Sequence, residues 1–354
     1  DLPRPKPDPA MIVSQREQSG MVGSFQPGVT PTFKVLDQDS IDHVVGLYAD
    51  GALRAKRAGF DAVELHAAHG YLLASFISAG TNLRTDNYGG SPENRCRLLV
   101  EVITAVKEKV GSDFPVWIRM NAEEYFIENG IRLEEAIRVA KIAEQGGVDG
   151  LHVSAYGNTG VGIAHTMGQM VNDECGYLDF AKTIKKSVDV PVIAVGRIKP
   201  KKANKVIASG DADFIAMGRA LLADPALPNK LELDRVEDIR PCIHCNVCVS
   251  KIYVNERLAC AVNSDVGTVP SELKPITANN KTVVVIGGGP SGMEVARLAA
   301  EKGQEVAQHN IGQTLQTWTY QTRIKSSTEV ILDPESKPFS NLFSFYELLI
   351  NITF

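Results

Sequence analysis

The chain has 354 residues, long enough for about two domains of ordinary size. With 44% hydrophobic and 22% charged residues it has the composition of a globular protein, not of a disordered, collagen-like or coiled-coil one. Thirty-seven basic against 42 acidic residues give a formal charge of -5, which excludes the basic field needed to hold a nucleic acid or an anionic membrane surface.

In chain order, residues 1–38 carry Pro, Gly, Gln and Ser without a sustained period and read as an irregular lead-in. No apolar run reaches the ~20 residues of a spanning helix, and the opening DLPRPKPDP is unlike a signal peptide, so the expectation is a cytoplasmic protein. Position 1 is Asp, which points to a processed start or a fragment. From Ser40, the residues Ile41, Val44, Val45, Tyr48, Ala49, Ala52 and Leu53 recur at helical spacing until Gly59. A strand-like run, FDAVELH (60–66), follows, and the alternation then repeats. Helix 92–110 leads to strand 115–121, helix 133–146 to 148–154, helix 178–187 to 191–198, and helix 201–209 to 212–220.

Helices alternating with nearly continuous apolar strands predict a parallel sheet. Polar residues close the strands, as in His66, Arg119, Ser154, Arg197 and Arg219, a placement that favours a (β/α)8 barrel over a doubly wound sheet. Only about five βα units are present, so the barrel is expected to be N-terminally incomplete, with strand edges left unpaired. The barrel region is assigned to 39–235. A cysteine loop and linker follow at 236–275, then a partial Rossmann-like dinucleotide-binding segment at 276–310 and an unassigned tail at 311–354. In that segment Gly287, Gly289 and Gly292 sit between a strand and a helix, where a dinucleotide fingerprint must lie. An acidic ribose-binding residue about 20 residues on is missing, and Asn310 stands in that neighbourhood.

Three constellations carry chemistry. Cys242, Cys245, Cys248 and Cys260 fall within nineteen residues, spaced by two, two and eleven, which suits an iron–sulfur cluster. Zinc is the rival, although its ligands usually come as two separated pairs. His244 lies in the same loop as a bystander. In HAAHGYLL, His66, His69 and Tyr71 directly follow a strand, where two imidazoles and a phenol can bind a carbonyl oxygen and deliver a proton. An isolated His-x-x-His would more often be a pair of satisfied loop histidines. The pairs Gly196-Arg197 and Gly218-Arg219 close consecutive strands, a pattern suited to phosphate.

Residues 40–265 resemble the old yellow enzyme family of flavin oxidoreductases, in its iron–sulfur branch with 2,4-dienoyl-CoA reductase, enoate reductase and trimethylamine dehydrogenase. The string AGFDAVELHAAHGYLLASFISAGTNLRTDNYGGSPENRCRLL carries the resemblance, and VGRI, FIAMGRALLADP and DIRPCIHCNVC follow in family order. The resemblance implies an FMN enzyme in which Arg119 lies by the flavin ring and Gly196, Arg197, Gly218 and Arg219 hold its phosphate. His66 and His69 would bind the substrate oxygen, and Tyr71 would protonate the α-carbon as hydride reaches the β-carbon. A 4Fe-4S cluster would sit on the four cysteines, and FAD or NAD(P)H on the glycine segment. The implied activity is reduction of an activated C=C bond in an enone, enoate or CoA thioester by NAD(P)H. An amine or N-methyl dehydrogenase is the alternative, although amine-dehydrogenase members place Tyr where His66 stands. A truncated, non-catalytic remnant is the other, since the family's first three barrel strands have no counterpart in the chain.

Overall fold

A computed structural model of the chain describes residues 35–157, 174–253, 256–267, 282–301, 304–309, 324–325, 329–330 and 349–352. Most of the lead-in and most of the tail lie outside these residues.

The first helix, α1 (Gln38–Arg57), starts where Asp37 accepts the Ser40 backbone N–H at 3.0 Å. Asp39 lies in its first turn and Arg54, Lys56 and Arg57 in its last, each complementing the helix dipole. Strand β1 (Ala62–Ala67) follows, then α2 (Leu72–Ile77). The single helix expected over 92–110 is two, α3 (Pro92–Arg95) and α4 (Arg97–Val110), meeting at Cys96. There the Arg95 guanidinium turns inward to the Ile77 carbonyl and to Glu135. The remaining units are β2 (Val116–Tyr125), α5 (Leu133–Gln145), β3 (Gly150–Gly157), α6 (Leu178–Lys185), β4 (Val192–Ala194), α7 (Pro200–Ala208) and β5 (Phe214–Ile215). All five expected strands are present.

These strands are parallel and lie side by side in sequence order. A doubly wound sheet reverses its order partway, whereas this wall runs in one direction. Right-handed crossovers in such a wall place every helix on the same face, and α1 packs on α4, α4 on α5 and α5 on α6 accordingly. The expected bare edge at β1 is instead covered. Strand β10 (Leu349–Ile352), in the stretch for which the sequence offered no element, pairs with it in parallel, Ala62 opposite Leu349 through Leu65 opposite Ile352. The short strands β8 (Ile324–Lys325) and β9 (Glu329–Val330) form an antiparallel pair of their own.

Side-chain alternation sorts the wall into two faces. Val63, Leu65, Val116, Ile118, Met120, Leu151 and Val153 share one core with Leu98, Leu99, Val102, Ile103 and Val106 of α4. The intervening positions place Glu64, His66, Trp117, Arg119, Asn121, His152 and Ser154 on the opposite face.

Beyond the sheet come α8 (Gly218–Ala223), α9 (Leu227–Glu232) and α10 (Val247–Tyr253). Strand β6 (Thr282–Ile286), α11 (Pro290–Glu301) and β7 (Glu305–His309) make a parallel β–α–β unit with a small core of Val285, Ala296 and Val306. Among the described residues no helix is long and apolar enough to cross a membrane.

Gly150 tests the packing of the inner face. A Cβ there would lie 3.0 Å from Trp117 Cε3 and 3.2 Å from the Pro191 carbonyl oxygen. Gly150→Ala is expected to cost about 1–3 kcal/mol in urea unfolding. Gly46→Ala in α1, where nothing lies within 4 Å of the added methyl, is expected to gain about 0.5–1 kcal/mol.

Candidate active site

The inner face of the wall is both polar and buried. His66, Arg119 and His152 stand directly opposite one another on β1, β2 and β3, so three basic side chains form one row across the sheet. Glu64, two residues before His66, reaches over β2 to His152, with its Oε2 2.7 Å from Nδ1. Both members of that pair are almost fully enclosed, at 5% and 7% side-chain exposure. Burial pushes the Glu64 carboxyl up, and the combined pull of His152, Arg119 and His66 brings it net below the ordinary carboxylate range. Burial, reinforced by the Arg119 charge, lowers His66 to about 4 despite the opposing effect of Glu64. Burial also draws Arg119 below its ordinary value, against the stabilising charges of Glu64 and Tyr177.

The HAAHGY segment leaves β1 through a tight turn. His69 at φ 60° and Gly70 at φ 73° are consecutive left-handed residues that bring the chain back over the strand end. Side chains fix that turn. The His69 backbone N–H donates to Asn121 Oδ1 at 3.1 Å, and Asn121 Nδ2 donates to Glu124 Oε1 at 3.0 Å. Glu124, buried at 2% exposure, accepts in addition from Ser78 Oγ and the Ile131 N–H. The His69 ring is held by Ser154, Nε2 to Oγ at 3.0 Å, while Ser154 Oγ donates its one proton to the Met120 carbonyl at 3.2 Å. The Nε2–H tautomer of His69 follows. Burial and the nearby Arg119 charge hold His69 well below its ordinary pKa.

The three expected site residues converge. The His66 ring lies 5.0 Å from His69 and 5.1 Å from Tyr71, centroid to centroid, and Tyr71 is half exposed at the open end. Tyr156, at the end of β3, adds a second phenol 6.3 Å from His69. The sequence reading did not single out Glu64, Asn121, Glu124, His152 or Tyr156. Their signal was alternation, since each of Glu64, Asn121 and His152 is a polar residue inside an otherwise apolar strand.

Gly196 has φ 115° with the Tyr177 ring 3.1 Å from where a Cβ would stand, and Arg197 follows at φ 54°. Arg197 lies 4.0 Å from Glu174, which also pairs with Lys199 at 2.6 Å. Gly218 opens α8, and among the described residues no atom lies within 4 Å of an added Cβ. Arg219 donates to Asn246 Oδ1 at 2.7 Å, which ties it to the cysteine loop. The residues present suit FMN. Among the described residues, His66 Nδ1, Arg119 Nε and His152 Nε2 are buried nitrogens without a hydrogen-bond partner, as a polar heteroaromatic ring requires of its site, and the open backbone of Gly218 lies beside Arg219.

Cys242, Cys245, Cys248 and Cys260 are free thiols lining one small cavity with Arg219 and Leu222. His244 (φ 53°) and Asn246 (φ 59°) are left-handed, and the His244 N–H points to Cys242 Sγ at 3.4 Å. Burial raises the Cys248 thiol. Among the described residues no three ligand-type side chains are drawn together closely enough to hold a metal ion, although a donor set of four thiols suits an iron–sulfur cluster. In the β–α–β unit, Gly287 has φ 110°, and a Cβ on Gly292 would stand 2.2 Å from the Gly287 carbonyl oxygen, so both positions require glycine.

Comparison with known proteins places this geometry in a family. Residues 7–238 match the NADH:flavin oxidoreductase / NADH oxidase family, and the chain belongs to it. It is 45% identical over 277 residues to NADH oxidase of Thermoanaerobacter brockii, covering 76% of this chain and 41% of the relative. It is 37% identical to cinnamate reductase of Clostridium sporogenes, covering 80% and 44%. A solved 2-naphthoyl-CoA reductase bound to 2-naphthoyl-CoA superposes with a TM-score of 0.70 at 34% identity, covering 78% of this chain and 42% of that one. The chain thus spans less than half the length of these relatives.

The depressed His66 pKa has a signed consequence. An unfolded imidazole titrates near 6.5 and the folded one near 4, so acidification between those values protonates the unfolded state first. Stability contributed by neutral His66 is therefore full above pH 6.5 and falls as pH drops toward 4. The His66 ring is expected to titrate near 4 by NMR, and His66→Gln to flatten the pH dependence of the urea midpoint across that window.

Proposed function

We propose that the chain forms the FMN- and substrate-binding region of an NAD(P)H-dependent oxidoreductase that reduces a carbon–carbon double bond activated by a carbonyl or thioester. The observation that carries this reading is the convergence of His66, His69 and Tyr71, at ring distances of 5.0 and 5.1 Å, over a buried polar face bearing Arg119. The names of two relatives support the substrate class, one acting on cinnamate and the other holding an aryl-CoA thioester.

Bound FMN would supply hydride to the β-carbon. Arg119 would lie against the ring, and Gly196, Arg197 and Gly218 would hold the phosphate, with Arg219 shared between that site and the cysteine loop. His66, a neutral imidazole, would donate to the substrate oxygen and polarise the double bond. His69 in its Nε2–H tautomer is committed to Ser154, so it orients the pocket and leaves the donor role to His66. Tyr71 Oη would deliver the proton to the α-carbon from the exposed side. The four cysteines would hold a 4Fe-4S cluster, and Gly287, Gly289 and Gly292 would admit the pyrophosphate of FAD or NAD(P)H.

Tyr71→Phe is expected to leave flavin reduction by NAD(P)H nearly unchanged while slowing reoxidation by cinnamate or an enone by roughly 100-fold. Stopped-flow measurement of the two half-reactions decides it. Equal loss in both, or turnover of a secondary amine in place of an enone, would overturn the assignment. Cys245→Ala is expected to abolish the broad visible absorbance and the bound iron of anaerobically purified protein. Stoichiometric zinc without iron would refute the cluster.

A further inference from the structure

The row His66–Arg119–His152 sets an electrostatic problem that the residues assigned above do not solve. Neighbouring strands lie about 4.8 Å apart, so the guanidinium of Arg119 has an imidazole-bearing strand on each side; His66 and His152 are buried, and Arg119 is half-buried with its Nε enclosed. A buried guanidinium without a counter-charge costs several kcal/mol. Glu64 lies on the same face as Arg119, diagonal to it across β1 and β2, and its carboxylate crosses β2 to His152, so its negative charge acts on the guanidinium. Glu64 does not lie in the row. It comes from one alternate position further back on β1, opposite Trp117. On β3, Gly150 stands opposite Trp117, and His152, two residues on, meets Glu64 across β2 at 2.7 Å.

We propose that Glu64, clamped by His152, is a positioning residue that supplies the counter-charge of Arg119 and thereby keeps the guanidinium charged and fixed inside the site. The proposal rests on the reading of this face as the flavin site only for its consequence, which is electrical. With FMN bound, Arg119 would stabilise negative charge on the reduced ring, and Glu64 would set how much of that positive charge remains uncompensated. His152 holds the carboxylate through Nδ1–H, which aims it without a direct contact to any ligand.

The test is a double-substitution cycle in the full chain, read first by urea unfolding without added flavin. Glu64→Gln is expected to lower the urea midpoint, because Arg119 then lacks its counter-charge. Adding Arg119→Gln to that variant is expected to restore at least half of the loss. Additive losses in the cycle would overturn the proposal. If Glu64→Gln shows no cooperative transition, the double variant decides. Its cooperative folding supports the pairing, and its failure to fold refutes it.

The second measurement uses FMN as probe. The midpoint potential of bound FMN is expected to rise in Glu64→Gln and fall in Arg119→Gln, and an unchanged potential in folded Glu64→Gln would overturn the electrical role. Absence of FMN binding by the wild-type chain would overturn the flavin reading itself, and the urea cycle would still decide the Glu64 pairing.

Discussion

The structure depends on burying a polar row on one face of a parallel wall. Desolvating Glu64, Arg119, His66 and His152 is unfavourable, and their mutual interactions only partly offset it. The opposite face supplies the balance. Strand residues such as Leu65, Ile118, Met120 and Val153 are 0–1% exposed against α4 and its neighbours, each worth about 1.5–3 kcal/mol of burial. One set of strands thus does two jobs by alternation, with an apolar face for stability and a polar face for chemistry.

The turn after β1 carries that row to the open end of the sheet. Left-handed backbone at His69 is uncommon for a residue with a side chain, and it persists because the Asn121–Glu124–Ser78 network grips the loop from β2 and from the end of α2. Glu124 accepts from three donors without a cationic partner in that set, which makes its carboxylate a rigid anchor. The site is therefore positioned from regular elements rather than by the loop alone.

Much of this was legible in the sequence because the signals are local. Helical spacing from Ile41 to Leu53, and apolar runs at 60–66, 115–121 and 148–154, required only the period of the chain, and HAAHGYLL carried its chemistry within eight residues. What local reading missed is what register decides. Glu64 and His152 are 88 positions apart, and nothing in either strand says that the two will meet across β2. The break at Cys96 arises from Arg95 turning to a carbonyl 18 residues earlier, and the pairing of β10 with β1 joins chain segments whose spacing no periodicity encodes. Arg219, expected at a phosphate from its pairing with Gly218, also donates to Asn246, 27 residues on, a tie that no local pattern shows.

Gly70 shows how closely the turn after β1 and the end of β3 are fitted. The Tyr156 hydroxyl oxygen would lie 2.8 Å from a Cβ at that position, on a backbone already at φ 73°. The gap between the loop after β1 and the end of β3 is therefore zero side chains wide. Any programme that diversifies this mouth meets a linked pair there, since a substituent at 70 evicts the phenol at 156. Libraries that vary the two positions together can reach pockets that single-site scanning will discard as misfolded.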